Sequence, residues 1–461
     1  MLRSLFLILA ILISFSGCSS DSETPKVPPL FVSSTPADGS EEVTVSSEVS
    51  LTYDEVITLI ENHGITINGE SADASSHLTK VMIEEILEKG KEYTINVPAR
   101  AVKNTSGVPS ESAVEFSFTT EAASQPVEIS ADLVVANPSQ EAQNVYNFLK
   151  ENYGMKIISG AVANVSWNTN EADWVYKHTG KYPAMNTFDY IHLNWSPANW
   201  IDYNDTQVVE DWWANNGIVS ACWHWNVPPS EGVTDNNQFS TYSEDTEFSA
   251  ANALVEGTWE NEIVKADLEE MAGYLKLLRD KNIPVVWRPL HEAAGNIYEY
   301  DNGTAWFWWG YDGAEAYRNL WIYMFEYFEQ QGVNNLIWVW TTQTKDDAFY
   351  PGDEYVDIVG RDIYNNGSGE NIAAQFEEIQ TTYPTKMIAL SENGSVAEIS
   401  EQWNSGAFWS YFMPWYDYDR TVDTESVAFD DPTHGHANVE WWEDAFSHDA
   451  VITRDEMPDL K

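Results

Sequence analysis

Two glutamates stand where an apolar run gives way abruptly to ionisable groups. Glu292 closes Trp287-Arg288-Pro289-Leu290-His291-Glu292, and Glu392 lies in Ile388-Ala389-Leu390-Ser391-Glu392-Asn393-Gly394. A pair of carboxyl groups can cleave a glycosidic bond in two ways. At about 5–5.5 Å apart, one attacks the anomeric carbon while the other protonates the departing oxygen; a gap of about 6.5–9.5 Å admits a water and inverts the centre. Sequence order leaves that separation open. Two nearby negative charges oppose each other's ionisation, which helps keep one group protonated while the other is charged. A single glutamate at a strand end could equally cap a helix or face solvent, so the matched pair is what points to catalysis.

The elements that must hold this pair are eight strand-like apolar runs: 156–162, 182–188, 217–225, 283–290, 335–341, 356–363, 386–391 and 408–415. Helical patterns separate them. Val264, Leu268, Met271, Leu275 and Leu278 recur at three- and four-residue spacing between the third and fourth runs, and Tyr317, Leu320, Met324 and Phe328 do so between the fourth and fifth. Eight strand–helix alternations over 131–461 predict a (β/α)8 barrel, with an open doubly wound sheet as the alternative. In a closed barrel the ends of the fourth and seventh strands face each other across the mouth, so Glu292 and Glu392 could flank one bond.

The region 28–120 reads differently. Short alternating runs such as Glu48 to Tyr53 and Tyr93 to Val97, separated by turn residues, predict a small all-β sandwich. Its opening Ser34 to Gly39, its Asn104 to Gly107 turn and its closing Phe116 to Thr120 resemble bacterial Ig-like domains, which implies a spacer. Residues 121–130 read as a linker. At the start, Arg3 precedes the apolar run Leu5 to Ile13 and the small residues before Cys18. That run is too short to cross a bilayer as a mature helix. It resembles a lipoprotein signal over 1–17, implying lipidation at Cys18, a solvated tether over 18–27, and an extracytoplasmic protein anchored to a bacterial, outer membrane.

The 73 Asp and Glu against 23 Lys and Arg give a formal net charge of −50. That field excludes nucleic acid and disfavours anionic polysaccharides, while a neutral glycan feels little of it. Trp, Tyr and Phe number 21, 23 and 18; such rings stack on pyranose faces, although most are expected in the core. Only Cys18 and Cys222 are present, so no disulfide framework is expected. Acidic loops such as Glu244-Asp245-Thr246-Glu247 lack an ordered calcium-site spacing and read as solvent-exposed. Nothing in the surroundings of His434 and His436 decides between a metal site and a loop at the cleft rim.

The run Trp287 to Gly295, followed by Trp306-Phe307-Trp308-Trp309-Gly310, Val356 to Tyr364 and Leu390 to Gly394, resembles glycoside hydrolase family 26. The resemblance spans about 130 to 461. It implies a retaining endo-β-1,4-mannanase acting on mannan, glucomannan or galactomannan, with Glu292 as acid/base and Glu392 as nucleophile. It further implies that His291 and His224 bind the sugar at the cleaved bond, that Arg288 sits below the acid/base with Asp362 as a candidate partner, and that Tyr364 aligns the nucleophile. Trp306 and Trp415 would be sugar platforms, with Phe307, Trp308 and Trp309 left to packing. No cofactor or metal is expected, and the chain is expected to be a monomer. The segment Asn296 to Ala305 departs from tighter family versions. Alternatives are exo-release of mannobiose, cleavage of β-1,3-xylan or mixed-linkage β-glucan, and a non-catalytic surface glycan-binding protein.

Overall fold

Strands buried on both faces need continuous apolar sequence rather than alternation, and eight runs of this kind form a closed parallel ring. They are β1 (Ile157–Val162), β2 (Met185–Asp189), β3 (Ile218–Trp223), β4 (Val285–Pro289), β5 (Leu336–Thr342), β6 (Ile358–Tyr364), β7 (Met387–Gly394) and β8 (Tyr411–Pro414). Each pairs in parallel with the next, and β1 closes the ring through Ile158 opposite Tyr411 and Gly160 opposite Met185. The computed structural model describes residues 27–461 apart from 46, 85–86, 88–89, 121–127, 165–166 and 192–200. The expected signal over 1–17, Cys18 and all of the tether but Val27 lie outside the described residues.

Helices cover the ring. In the helix Trp259–Arg279, Thr258 caps the N-terminus by accepting from the Asn261 amide at 3.2 Å, and Val264, Leu268, Met271, Leu275 and Leu278 are buried. The helix Ala314–Gln330 buries Tyr317, Leu320, Met324 and Phe328 in the same way. One connection breaks the alternation. Between β5 and β6 the chain makes only two short 3-10 turns, Asp347–Phe349 and Asp353–Tyr355. Most of the tryptophan load is structural, as expected: fourteen of the 21 tryptophans, among them Trp287, Trp338 and Trp340, are buried.

The described residues fall into two units that divide at Pro126/Val127. The N-terminal unit has a four-stranded sheet containing Val49–Tyr53 and Lys80–Glu84, and a five-stranded sheet containing Glu92–Val97 and Val114–Thr120. Its own core includes Leu51, Val81, Tyr93, Ile95, Phe116 and Phe118. The Asn104 turn is closed by its own side chain, whose Oδ1 accepts from the amides of Ser106 and Val108. Of the expected linker 121–130, residues 121–127 lie outside the described residues. Ser130 donates its amide to the Thr385 carbonyl at 3.1 Å, and Ile129 packs on the barrel core, so both belong to the second unit.

Candidate active site

The two glutamates reach the barrel mouth by different backbone routes. β4 stops at Pro289, and the chain then turns through Leu290 (φ 46°) and Glu292 (φ 51°). Left-handed backbone is unusual for residues with a Cβ, costs on the order of 1–3 kcal/mol each, and concentrates at functional sites. Here it throws the Glu292 carboxyl inward over the mouth. Glu392 needs no such turn, because β7 runs past it to Gly394. Opposite Glu392 in the ladder is Asp362 on β6, next to a register shift after Arg361. Carboxylate oxygens of Glu292, Asp362 and Glu392 all lie within 4.8 Å of one another.

Three acids so close need a cation, and Arg288 on β4 supplies it. Its guanidinium donates to Asp362 Oδ2 at 2.9 Å and to Glu392 Oε2, and all three side chains are buried. Burial alone would lower the guanidinium; the charges of Asp362 and Glu392 outweigh it and hold Arg288 well above its ordinary range. Ser391 donates to Asp362 Oδ1 at 2.7 Å, and Tyr364 donates to Glu392 Oε1 at 2.6 Å. Both Glu392 oxygens are therefore held by donors. Glu292 accepts one bond, from Trp306 Nε1 at 2.9 Å.

This inequality separates the two protons. Burial, with the charges of Asp362 and Glu392 beside it, pushes Glu292 well above the usual carboxylate range. Burial also raises Glu392, but Arg288 and the Tyr364 hydroxyl oppose the rise. Glu292 is thus the group that keeps a proton, and Glu392 the one that gives it up first.

The histidines line the same space. His224, just past β3, lies 4.6 Å ring to ring from His291 and 5.9 Å from Trp415. Its Nδ1 is 2.6 Å from Asp189 Oδ2, and its backbone amide donates to Asp189 Oδ1 at 3.2 Å. Asp189, at the end of β2, was not singled out from sequence, although Phe188-Asp189 repeats the apolar-to-acidic transition of the glutamate motifs. His291 is buried, its Nδ1 has no protein partner, and burial with the Arg288 and His224 charges holds it well below its ordinary value. It is a neutral imidazole.

Of the aromatic residues, Trp306 and Trp415 are half-buried, whereas Phe307, Trp308 and Trp309 are buried. Trp308 and Trp309 are tied to the Trp225 and His291 carbonyls at 2.7 and 2.9 Å, as packing residues should be. A cleft of about 490 Å³ opens beside His224 and Trp415, lined also by Asp189, Asn226, Tyr242 and Tyr416.

The histidines near the C-terminus divide. His434 is buried 2.7 Å from Glu171, and its Nδ1 accepts from the amides of His436 and Ala437, so its proton sits on Nε2. His436 packs against Tyr364, with ring centres 5.8 Å apart. Gly394 permits that approach, since a Cβ there would collide with both rings.

The sequence profile of glycosyl hydrolase family 26 matches residues 134–431, more than half of the chain. The chain belongs to glycosyl hydrolase family 26. A bacterial Ig-like domain profile matches residues 25–120. The chain is 33% identical over 441 residues to mannan endo-1,4-beta-mannosidase B of Piromyces sp., a match that covers 90% of this chain and 71% of that protein. Among solved structures, the family 26 domain of an endo-beta-mannanase/endo-beta-glucanase from Prevotella bryantii is 40% identical, with a TM-score of 0.64 over 71% of this chain and 99% of that one. A beta-mannanase from a symbiotic protist of the termite Reticulitermes speratus, complexed with gluco-manno-oligosaccharide, is 34% identical, with a TM-score of 0.60 over 72% and 99% of the two chains.

As a family 26 glycoside hydrolase, the chain presents both expected carboxyls at the barrel mouth. The segment Asn296 to Ala305 folds back on itself. The Asn296 amide donates to the Thr304 carbonyl at 3.2 Å, and Asn296 Oδ1 accepts from the Thr304 amide at 2.8 Å. Trp306 is thereby delivered to Glu292.

Proposed function

We propose that this family 26 glycoside hydrolase is a retaining endo-β-1,4-mannanase that cuts internal bonds of mannan, glucomannan or galactomannan. The observation that carries the chemistry is the Glu292 and Glu392 pair, whose oxygens approach within 4.8 Å. That suits a double displacement at about 5–5.5 Å and leaves no room for the intervening water of inversion. Glu392 attacks the anomeric carbon while Glu292 gives its proton to the leaving oxygen and the glycosidic bond breaks. Glu292 then takes a proton from water as that water's oxygen displaces Glu392 from the sugar, restoring both groups. Arg288 and Tyr364 hold Glu392 aligned and favour its charged form. His291 and His224 offer ring nitrogens to sugar hydroxyls, with Asp189 holding the His224 ring in place, and Trp306 and Trp415 offer ring faces.

Support for mannan as the substrate is the mannanase activity of the relatives, together with a net charge suited to a neutral polymer. The test is time-resolved hydrolysis of mannan, glucomannan and β-glucan. The expected result is a rapid fall in mannan viscosity while few reducing ends have appeared. Mannobiose as the dominant product from the outset means exo attack, β-glucan as the preferred polymer means another specificity, and binding without turnover means a glycan-binding protein.

We also infer that the enzyme is a monomer lipidated at Cys18 and held outside a bacterial cytoplasm, on the outer membrane. The support is the run from Arg3 to Cys18 itself. Fatty-acid labelling that survives Cys18→Ala would remove the anchor.

A further inference from the structure

Glu392 is aligned by Tyr364, and Tyr364 is poorly anchored by its own strand. β6 ends at this residue, and the chain then leaves the sheet through Asn365 (φ 54°). The hydroxyl reaches buried Glu392, yet the residue as a whole is 37% exposed. A tyrosine at the open end of a strand has other staggered rotamers within reach, and these carry the hydroxyl away from Glu392 Oε1. A neighbour must hold the ring itself.

His436 is in place to do so. Its ring meets that of Tyr364 at an interplanar angle of 80°, the edge-to-face arrangement that aromatic rings favour. Both rings lie over Gly394, where a Cβ would collide with His436 Nδ1 and with the Tyr364 ring. Burial and nearby His434 lower the His436 imidazole, against the pull of Asp417 and Glu171. At neutral pH it therefore offers Tyr364 a packing surface and no charge.

The segment that carries this ring, residues 431–438, has neither helix nor strand and is fixed by individual bonds. The His436 carbonyl accepts from the Ser395 amide at 2.7 Å, and Ser395 Oγ donates to the Gly435 carbonyl at 3.1 Å, which ties the loop to the end of β7 just past Glu392. The Gly435 amide donates to Asp417 Oδ2 at 2.8 Å. On the far side, His434 Nδ1 accepts from the amides of His436 and Ala437 at 3.0 and 2.9 Å, while its Nε2 lies 2.7 Å from Glu171 in the helix Asn170–Thr179. Thr421 donates to the other Glu171 oxygen at 2.8 Å. The side chains of His434 and Glu171 are buried. The His436 backbone is thus held from two sides, by β7 and by this helix, and its ring is left to hold Tyr364.

We propose that His436 is a positioning residue for the reaction: its ring, packed on Tyr364 over Gly394, keeps the Tyr364 hydroxyl on Glu392 Oε1. This rests on the reading of Glu392 as the nucleophile.

The experiment measures kcat, KM and the pH profile of kcat/KM on mannan for the intact enzyme, His436→Ala, His436→Phe, Tyr364→Phe and the double variant of Tyr364→Phe with His436→Ala. His436 is half-buried in a loop, so these changes spare the barrel core. His436→Ala should lose about tenfold in kcat, the worth of a hydrogen bond to a charged group, with KM little changed. Its acid limb should move up in pH, because the Tyr364 hydroxyl lowers Glu392 and the other groups facing that carboxyl, Arg288, Asp362, His224 and Glu292, are untouched. His436→Phe keeps a ring and should recover most of both effects. In Tyr364→Phe there is no hydroxyl to aim, so adding His436→Ala should change nothing further. Losses that multiply in the double variant, an acid limb that stays in place, or His436→Phe as slow as His436→Ala overturn the positioning role while leaving Glu392 as the nucleophile. Turnover that survives Glu392→Ala defeats the nucleophile reading and the positioning role with it.

Discussion

At the scale of single residues, the division of labour between Glu292 and Glu392 comes from what surrounds each carboxyl. Glu292 is raised further than Glu392 because it lacks the guanidinium bond. The active form has Glu292 protonated and Glu392 charged. Its rate is therefore lost as pH rises through the Glu292 pKa, and lost again as pH falls through that of Glu392. Trp306 tunes the first limb, since its indole N–H stabilises the charged form of Glu292 and so lowers its pKa. Trp306→Phe keeps a ring face but removes the donor. It should move the basic limb of kcat/KM upward in pH, and a basic limb that stays in place or moves down counts against the assignment. Both glutamates were legible in sequence because each ends an apolar run in an ionisable group. Asp189 ends a run in the same way, but its run alone does not mark it. Its meaning depends on His224, 35 positions away, and becomes visible only once β2 and β3 lie side by side.

At the scale of elements, the barrel strands could be read because burial on both faces leaves a continuous apolar signature, and the helices because one apolar stripe repeats along them. The turn after β4 could not. Leu290 and Glu292 adopt left-handed backbone that their residue types do not announce. The β5–β6 connection likewise departs from the expected strand–helix step: Asp346 to Glu354, with Pro351-Gly352 inside it, carries no helical stripe. Beside the site, β6 pairs with β7 from Ile358 to Tyr364. A Cβ on Gly360 would run into the Ser391 side chain, whose hydroxyl is bonded to Asp362. Gly360→Ala should therefore push the two strands apart beside Glu392. The expected cost is about 1–3 kcal/mol in unfolding free energy, typical of overpacking, with kcat falling more than KM changes. A variant with wild-type stability and kcat would show that this contact does not hold the nucleophile.

At the scale of the whole molecule, each unit has its own hydrophobic core. The groups assigned to the chemistry, from Asp189 to Trp415, all lie in the second unit. A truncated chain beginning at Val127 should thus fold and hydrolyse a short manno-oligosaccharide at the rate of the longer chain. A large loss of rate or of thermal stability would mean that the Ig-like unit does more than act as a spacer. What the molecule does as an enzyme depends on a covalent sugar bound to Glu392, and that can be observed directly. Incubation with a fluorinated β-mannosyl fluoride, which forms the intermediate but slows its release, followed by peptide mapping, should place the label on Glu392. A label on any other residue, or none while the enzyme is active on mannan, would contradict the mechanism.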